Sequence, residues 1–410
     1  MIPMARGFKA AAVKAGIRGK ERLDLGLLVS EVPAAAAGVF TTNRVKAAPV
    51  LLGAERLKAG KAQAILVNSG IANACTGPAG MRQARLCAAM AADALGIEEE
   101  LVQVASTGVI GMELDADCFR RGIPRLVAGL RGESGSAATG EVAESEGDGL
   151  EAVARAMMTT DTVPKLAARS CSSDGLETRL VGLAKGAGMI MPDMATMLAF
   201  ILTDAAVEPA LLRRMLRRAV DKSFNRITVD GDTSTNDTVL LLANGRAGAP
   251  PLVEGSAEQQ EFQTKLEELC QDLARQLVRD GEGANKLVTI RISGAADQQQ
   301  AVAAARTVAN SNLVKTAFFG EDANWGRIIA ALGRSGAEFA QDAVNISFNE
   351  VMLVKDGLGL GAEAEAAATA VLRQKEFTVT IDLAAGPAGT DYLTCDFSLD
   401  YVKINADYRT

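Results

Sequence analysis

The chain has 410 residues, of which 48% are hydrophobic and 23% are charged, and its formal net charge is −7. This balance is typical of a globular protein long enough for two domains, and with this mild acidity the overall field of the protein would not attract nucleic acid. Histidine is absent, which excludes Ser-His-Asp and Cys-His nucleophiles and His-ligated zinc. A base that works near neutral pH must therefore be another group. An α-amino group, with a pKa of about 8, is one of the few candidates.

The cysteines and the N-terminal region indicate the compartment. Six cysteines lie far apart with no Cys-x-x-Cys pair, so we expect reduced thiols rather than a disulfide framework. The N-terminal region has no apolar core of a signal peptide, and no run of the sequence approaches membrane-spanning length. We therefore expect a cytoplasmic protein that binds neither nucleic acid nor membrane.

Hydrophobic spacing predicts strands alternating with helices in the first half of the chain. Helices are expected over residues 80–95 and 150–158. Strands are expected over residues 101–105, 178–184 and 196–203. The strand over 101–105 leads directly into Ser106-Thr107-Gly108, a type of turn in which backbone N–H groups are often free to point at a ligand.

The second half continues the alternation. Helices are expected over residues 208–222, 256–278, 298–309 and 325–332, and strands over 227–229 and 238–243. From residue 286 onward we also expect a strand ending in Phe318 and Phe319, and a last strand in YLTCDFSLDYVKI. The pattern predicts an α/β (α+β) sandwich of mixed sheets flanked by helices, with a smaller C-terminal α/β domain.

Residues 185–204, KGAGMIMPDMATMLAFILTD, combine a Gly-rich approach, a bend at Pro192 and Thr196 at the start of an apolar strand. On composition alone, such a Thr is more often a core residue whose hydroxyl bonds a neighbouring carbonyl. Without histidine, however, a hydroxyl nucleophile needs another base, and a free amine on the same Thr supplies one. Thr196 would acquire that amine if its bond to Ala195 were broken.

Two further positions have both an ordinary and a functional interpretation. Thr107 and Gly108 form either an ordinary turn after a strand or an oxyanion site, where a hydroxyl and a backbone N–H stabilise a tetrahedral intermediate. Lys185 lies among Gly182, Gly186 and Gly188. It is either a solvated lysine at a strand end or a cation that pairs with a substrate carboxylate or lowers the pKa of a neighbouring amine.

Metal and nucleotide motifs are incomplete. Residues 230–241 begin like a calcium loop, but Thr235 replaces the required Gly and Leu241 replaces the required Glu. Neither Gly-Lys pair is followed by Ser or Thr, so a P-loop is excluded. We expect no metal and no cofactor.

Several stretches spread over nearly the whole chain resemble the glutamate N-acetyltransferase family, also called ornithine acetyltransferase, of the cyclic arginine pathway. They are FTTNRVKAAPV, VNSGIANACTG, ASTGVIG, MTTDTVPK, KGAGMIMPDMATML, SFNRITVDGDTSTND, GEDANWGRI and DYVKINADYRT. Their number and order make a chance similarity very improbable.

The resemblance implies that the chain cleaves itself between Ala195 and Thr196. Residues 1–195 would form an α chain and residues 196–410 a β chain, with 196–284 completing the main domain and 285–410 forming the C-terminal domain. Thr196 would take the acetyl group from N2-acetylornithine and pass it to glutamate in a ping-pong reaction. The same motifs occur in members that also use acetyl-CoA as a co-substrate. The family further implies a heterotetramer, a dimer of cleaved αβ units.

The family's functional residues map onto this sequence one by one. Thr107 and Gly108 match the oxyanion pair, and the substrate-binding positions match Thr159, Lys185, Thr196, Glu282, Asn405 and Thr410. The chain departs from the family's usual pattern at Ile71, Asn285 and Asn312. Two other interpretations stay open: an aminopeptidase or amidase with the same N-terminal nucleophile, and a non-catalytic relative in which Thr196 is only packed.

Overall fold

The protein folds into two compact units in the computed structural model, which describes residues 2–19, 22–132, 148–173, 175–191 and 197–407. Unit 1 comprises Met1–Gly186, Asp193–Asn225 and Thr233–Ala274. Unit 2 comprises Ala187–Pro192, Arg226–Asp232 and Arg275–Thr410. Each unit has its own mixed sheet with helices packed on it.

The sheet of unit 1 has eight strands. They are β1 (Phe8–Val13), β2 (Leu25–Phe40), β3 (Lys61–Asn68), β4 (Val102–Ser106), β5 (Lys165–Ser173), β6 (Leu176–Lys185), β7 (Leu198–Thr203) and β8 (Thr238–Ala243). Their order is β4-β3-β2-β8-β7-β6-β5, with β1 paired to β2. The β3–β4 and β7–β8 pairs are parallel and the other pairs are antiparallel. As a result, β7 and β8 lie between β2 and β6, which come earlier in the chain.

Helices cover this sheet on both faces. They are α1 (Ala48–Arg56), α2 (Gly77–Leu95), α3 (Ala116–Leu130), α4 (Asp148–Met157), α5 (Pro209–Asp221) and α6 (Ala257–Arg279). Strand β3 shows the arrangement: Ile65 and Val67 are buried in one cluster with α4, whereas Ala64 and Leu66 are buried in another with α2 and α3. Successive side chains of a strand point to opposite faces, so an apolar run such as this needs cover on both sides.

The sheet of unit 2 has six strands. They are β9 (Leu287–Ala295), β10 (Asn345–Phe348), β11 (Val351–Lys355), β12 (Leu358–Gly359), β13 (Glu376–Asp382) and β14 (Ala388–Cys395). Their order is β12-β11-β10-β13-β9-β14, and β13–β9 is the parallel pair. The helices that follow α6 are α7 (Gln298–Ala309), α8 (Asn312–Phe319), α9 (Trp325–Gly333), α10 (Ala362–Leu372) and α11 (Leu399–Ala406). Two mixed sheets with packed helices confirm the predicted fold class.

Element ends follow local sequence signals. Helix α5 begins where the Glu208 side chain accepts hydrogen bonds from the N–H groups of Ala210 and Leu211, with Pro209 in the first turn. Helix α2 ends at Gly96, whose φ of 69° is a left-handed conformation that glycine adopts without strain. Such signals explain why the predicted helices agree with the observed ones to within a few residues.

Three predicted strands are wrong in part. Residues 227–229 contain only an isolated bridge from Ile227 to Leu393. Phe318 and Phe319 end helix α8, because Val314, Ala317 and Phe318 recur at helical spacing and are buried together. In YLTCDFSLDYVKI only the first part is strand; the Ser398 side chain then accepts from the Tyr401 N–H and starts helix α11.

All six cysteines are free thiols, and Cys75 is the exposed one. Within the described ranges no helix is both long and apolar enough to cross a membrane. The same ranges contain no cluster of three or more His, Cys, Asp or Glu side chains that could hold a metal ion.

Candidate functional site

The turn after β4 leaves a backbone donor free. Thr107 N–H donates to Asn68 O over 3.0 Å and Val109 N–H to Gly70 O over 3.0 Å, whereas Gly108 N–H donates to no acceptor in the described part of the chain. Gly108 has a φ of 130°, and a Cβ at this position would lie 2.2 Å from the Gly70 carbonyl carbon. A residue with a Cβ would therefore require the backbone at Gly70 to shift, so the conformation of this turn depends on glycine at position 108.

Lys185 brings two of the predicted threonines together. Its ammonium group donates to Thr159 Oγ1 over 2.9 Å and to Thr107 Oγ1 over 3.3 Å. Only 2% of Lys185 is exposed, although it is the last residue of β6. The Thr107 hydroxyl accepts from Lys185, which leaves its hydrogen available to donate beside the free Gly108 N–H. These two donors are the groups that an oxyanion site requires.

Asp161 is the central acceptor of this part of unit 1. Its Oδ1 accepts from Lys165 Nζ over 2.6 Å and from Gly186 N–H over 2.6 Å, and its Oδ2 accepts from Thr159 N–H over 2.9 Å. Lys185 Nζ lies 3.9 Å from Oδ2. Burial alone would raise the pKa of Asp161, but the charges of Lys185 and Lys165 and these hydrogen bonds outweigh burial and lower it well below its ordinary value.

A polar network fixes the end of β4. Asn236 Nδ2 donates to Ala72 O over 2.7 Å and to Ser106 O over 2.8 Å, and the Ser106 hydroxyl donates to Asn68 Oδ1 over 2.7 Å. A cavity of about 10 Å³ lies beside Asn68, Asn73 and Ser106. That volume admits a single water and not a substrate. The network therefore supports the Thr107-Gly108 turn and does not itself form a binding pocket.

Ala195 and Thr196, the predicted cleavage site and nucleophile, lie outside the described residues. The first described residue after them is Met197. Its N–H donates to Asp237 Oδ1 over 3.0 Å, and its carbonyl accepts from Thr238 N–H over 3.1 Å. Both the N–H and the C=O of Met197 are thus hydrogen-bonded, directly before the first residue of β7.

Glu282 and Asn405 meet in unit 2. Asn405 Nδ2 donates to Glu282 Oε2 over 2.8 Å, and Glu282 N–H donates to Ala187 O over 2.8 Å. Glu282 is buried, and a Cβ at Gly188 would lie 2.3 Å from its carboxyl carbon. Glycine at position 188 therefore lets the chain pass directly over the carboxylate. Thr410 lies outside the described residues.

The segment after Gly188 is held by a second carboxyl. Asp230 accepts from Met189 N–H over 2.6 Å and from Ile190 N–H over 2.8 Å. Met189 has a φ of 55°, a conformation that residues other than glycine rarely adopt. Burial raises the pKa of Asp230, and the hydrogen bonds from Asp232, Met189 and Ile190 oppose the rise.

The structure shows a defined position for two of the three residues that depart from the family pattern. Asn285 N–H and Nδ2 both donate to the Asp396 carboxylate, over 2.7 and 3.2 Å. Asn312 is the first residue of α8 after Ser311. The structure offers no reason for Ile71 beyond its bridge to Val109.

Sequence reasoning missed Asp161, Lys165 and Asp237. A signal for the first two was present, since MTTDTVPK places Asp161 and Lys165 four residues apart around Pro164. A spacing of four brings two side chains together on a helix, but Pro164 excludes a helix there. The sequence pattern therefore gave no reason to expect Asp161 and Lys165 to be in contact. Asp237 sits in DTSTND, where the sequence showed only an incomplete calcium loop.

Comparison with known proteins places the chain in a family. The ArgJ family model matches residues 9–410. The arginine biosynthesis bifunctional protein ArgJ of Desulfotalea psychrophila is 54% identical over 405 residues, which cover 99% of each chain. Another curated ArgJ protein, from Geobacter sulfurreducens, is also 54% identical over 405 residues, again covering 99% of each chain.

A solved structure agrees in sequence with about half of the chain. It is the ornithine acetyltransferase of Mycobacterium tuberculosis in complex with ornithine, which is 39% identical, with 46% of this chain and 92% of that one covered and a TM-score of 0.38. The family match spans nearly all of the sequence, and the curated relatives match over almost their entire lengths. The chain therefore belongs to the ArgJ family and is an acetyltransferase of arginine biosynthesis.

Proposed function

We propose that the chain cleaves itself between Ala195 and Thr196 and then transfers an acetyl group from N2-acetylornithine to glutamate through an acetyl-Thr196 intermediate. The observation that carries this proposal is the pair of donors at Thr107 and Gly108, next to a buried lysine, in a protein without histidine. Such a site stabilises negative charge on an oxygen but has no imidazole to activate a nucleophile.

The first half-reaction removes the acetyl group from the donor. The Thr196 amine takes the proton of the Thr196 hydroxyl as the oxygen attacks the acetyl carbonyl. The carbonyl oxygen becomes negative and is stabilised by the Gly108 N–H and the Thr107 hydroxyl. When the C–N bond breaks, the amine returns the proton to the leaving nitrogen. Ornithine departs, and Thr196 carries the acetyl group as an ester.

The second half-reaction runs the same steps in reverse order. The amino group of glutamate attacks the ester carbonyl and gives a proton to the Thr196 amine, while the same two donors stabilise the oxyanion. The C–O bond of the ester then breaks, and the Thr196 oxygen leaves with that proton. N-acetylglutamate is released, and the free enzyme is restored without a cofactor. We propose that Lys185, Thr159, Glu282, Asn405 and Thr410 bind the amino-acid portions of both substrates.

The order of strands in unit 1 supports a self-cleaved enzyme that stays assembled. After a cut before Thr196, β7 and β8 would belong to the β chain, yet they lie between β2 and β6 of the α chain. Six residue pairs join β2 to β8 and six join β6 to β7. The two fragments would therefore share one sheet, and we propose that two such αβ units associate in the cytoplasm.

A second activity is favoured by the name of the curated relatives, which are called bifunctional. We propose that acetyl-CoA also acetylates Thr196: the thioester C–S bond breaks, CoA leaves as the thiol with the proton of the Thr196 hydroxyl, and the enzyme then makes N-acetylglutamate from the acetyl ester and glutamate. The second half-reaction would be unchanged, because both donors yield the same acetyl ester.

Denaturing electrophoresis with N-terminal sequencing tests the cleavage. We expect two bands, one of which begins at Thr196. Thr196→Ala should stay uncut and inactive, and Thr196→Ser, which keeps a hydroxyl, should retain some cleavage. A single intact band from folded wild-type protein would refute self-processing.

Product analysis separates transfer from hydrolysis. With acetylornithine and glutamate we expect ornithine and N-acetylglutamate in equal amounts. Ornithine and acetate alone would instead support the amidase alternative. Full transfer activity in Thr196→Ala would refute the nucleophile assignment.

A further inference from the structure

Two segments of unit 2 that are distant in sequence hold the Glu282 carboxylate. On one side, Asn405 Nδ2 donates to Glu282 Oε2 over 2.8 Å and to the Tyr401 carbonyl over 3.1 Å. On another, a Cβ at Gly188 would lie 2.3 Å from the carboxyl carbon of Glu282 and 2.4 Å from each of its oxygens. The position of this carboxylate therefore depends on the chain at Gly188 as well as on Asn405.

Helix α11, which carries the asparagine, begins directly beside Glu282. The Ser398 hydroxyl donates to Gly283 O over 2.6 Å and accepts from Tyr401 N–H over 3.4 Å. A Cβ at Gly283 would lie 2.4 Å from Tyr401 N. The first turn of α11 thus packs on the backbone that directly follows Glu282, and glycine at position 283 permits this close approach.

The segment over the carboxylate is held by Asp230. Its side chain accepts from Met189 N–H over 2.6 Å and from Ile190 N–H over 2.8 Å. Met189 has a φ of 55°, a left-handed conformation that is unfavourable for a residue with a Cβ. The two hydrogen bonds to Asp230 stabilise that conformation, so the path of the chain next to Gly188 depends on this carboxyl.

Tyr401 connects the two segments. Its hydroxyl is hydrogen-bonded to Asp230. Burial, together with the charges of Asp230 and Glu282, raises the pKa of Tyr401 above its ordinary value, so the hydroxyl keeps its proton and acts as the donor. Its ring lies against Phe397, with the ring centroids 4.7 Å apart. Tyr401 is therefore part of α11 through its backbone and is joined through its hydroxyl to the carboxyl that holds residues 189–190.

We propose that Tyr401 is a positioning residue for substrate binding: its hydrogen bond to Asp230 fixes α11 relative to residues 188–190 and so keeps Glu282 and Asn405 in their binding arrangement. This inference rests on the proposed function, in which Glu282 and Asn405 bind the amino-acid portions of the substrates. Tyr401 acts without touching the substrate. The oxyanion donors belong to unit 1 and take no part in these contacts, so the effect falls on binding and not on the chemical step.

Two substitutions and their combination test this role. Tyr401→Phe removes the hydroxyl and keeps the ring, and we expect KM for acetylornithine and for glutamate to rise about fivefold with kcat within about twofold of wild type. Asp230→Asn replaces one acceptor oxygen by an amide nitrogen that cannot accept, and it should raise both KM values at least as much. Because both substitutions break the same hydrogen bond, the double variant should have KM values no higher than those of Asp230→Asn.

A matched control and a binding measurement complete the comparison. Tyr392→Phe removes the hydroxyl of another buried tyrosine of unit 2 and should leave both KM values unchanged. Calorimetry should show that Tyr401→Phe binds ornithine about fivefold more weakly than wild type does. A purely structural role for Tyr401 predicts a lower melting temperature with unchanged KM values, and that result would overturn the inference. Effects on KM that multiply in the double variant would overturn it as well.

Folding failures and failures of the proposed function can be told apart. If Asp230→Asn does not yield folded protein, Tyr401→Phe decides by its KM values. Unchanged KM values in Tyr401→Phe, in an enzyme whose KM values rise in Glu282→Gln, overturn the inference alone. If the wild type binds ornithine but transfers no acetyl group, the proposed function fails, and equal ornithine affinities of Tyr401→Phe and wild type would then overturn the inference. A wild type that neither transfers acetyl nor binds ornithine overturns both.

Discussion

The N–H of Met197 donates a hydrogen bond to the Asp237 carboxyl over 3.0 Å, and Asp237 is fully buried. Among the residues that the structure describes, none is hydrogen-bonded to its other oxygen, Oδ2. Burial raises the pKa of Asp237 well above its ordinary value, and the bonds from Met197 and Thr41 and the charge of Lys185 oppose the rise only in part. A carboxyl held in this way favours its neutral form.

This pKa shift predicts how stability depends on pH. Between the ordinary pKa and the raised folded value, the native state binds more protons than the unfolded state, so stability falls as pH rises. Asp237→Asn is neutral at every pH and keeps an oxygen acceptor, so its melting temperature should gain on that of the wild type from about pH 4 upward. Asp237→Leu removes the acceptor and should cost about 1 to 3 kcal/mol. If the difference in melting temperature between Asp237→Asn and the wild type stayed constant from about pH 4 to about pH 8, the raised pKa of Asp237 would be contradicted.

The lowered pKa of Asp161 predicts the opposite dependence of stability on pH. Its pKa is lowered in the folded state, so its contribution to stability is complete above the unfolded pKa and is lost as pH falls toward the folded one. Asp161→Asn leaves two buried lysines without their carboxylate and should cost about 3 to 5 kcal/mol near pH 7. Denaturant unfolding should show this difference shrinking below about pH 4. A difference that stays constant down to pH 2 would be inconsistent with the ion pair.

The oxyanion assignment can be tested at Thr107. Thr107→Val keeps the shape of the side chain but removes the hydroxyl that accepts from Lys185. We expect kcat to fall about 100-fold with a small change in KM. The reason is that the hydrogen bond from the Thr107 hydroxyl to the oxyanion matters most in the transition state. Thr107→Ser keeps the hydroxyl and serves as the matched control. Equal losses in the two variants would show that packing, and not the hydroxyl, is what matters.

The Glu282–Asn405 contact gives a prediction about substrate binding. Glu282 is buried and has one oxygen bonded to Asn405. If it also binds a substrate amino group, Glu282→Gln should raise KM for acetylornithine and for glutamate about tenfold or more. Glu321→Gln, which alters a half-exposed carboxylate paired with Lys286, is the control and should leave both KM values unchanged. An unchanged KM in Glu282→Gln would remove this residue from the binding site.

The sequence predicted the core elements because their pattern is local. Strand β8 is buried along its whole length, and helix α7 alternates its apolar residues at helical spacing, so both could be predicted within a residue. Helix α8 was mistaken for a strand end because aromatic residues favour strands, and only burial against the rest of unit 2 selects the helix.

The candidate site was predicted less completely. Thr107, Thr159 and Lys185 came from motifs, but Thr107 and Lys185 are 78 positions apart, and no periodicity reveals such a contact. Asp161, Lys165 and Asp237 were missed because their importance lies in burial and charge balance. Those properties appear only when β4, β5, β6 and β8 are assembled.

Because β7 and β8 lie between β2 and β6, the uncut chain and the cut protein would fold by different routes. An uncut chain folds in a unimolecular reaction, whereas the two fragments of a cut molecule would have to find each other and insert two strands into a gap. Refolding of cut protein is then second order and slows on dilution. The native state would be reached once, from the precursor, and afterwards would persist mainly because escape from it is slow.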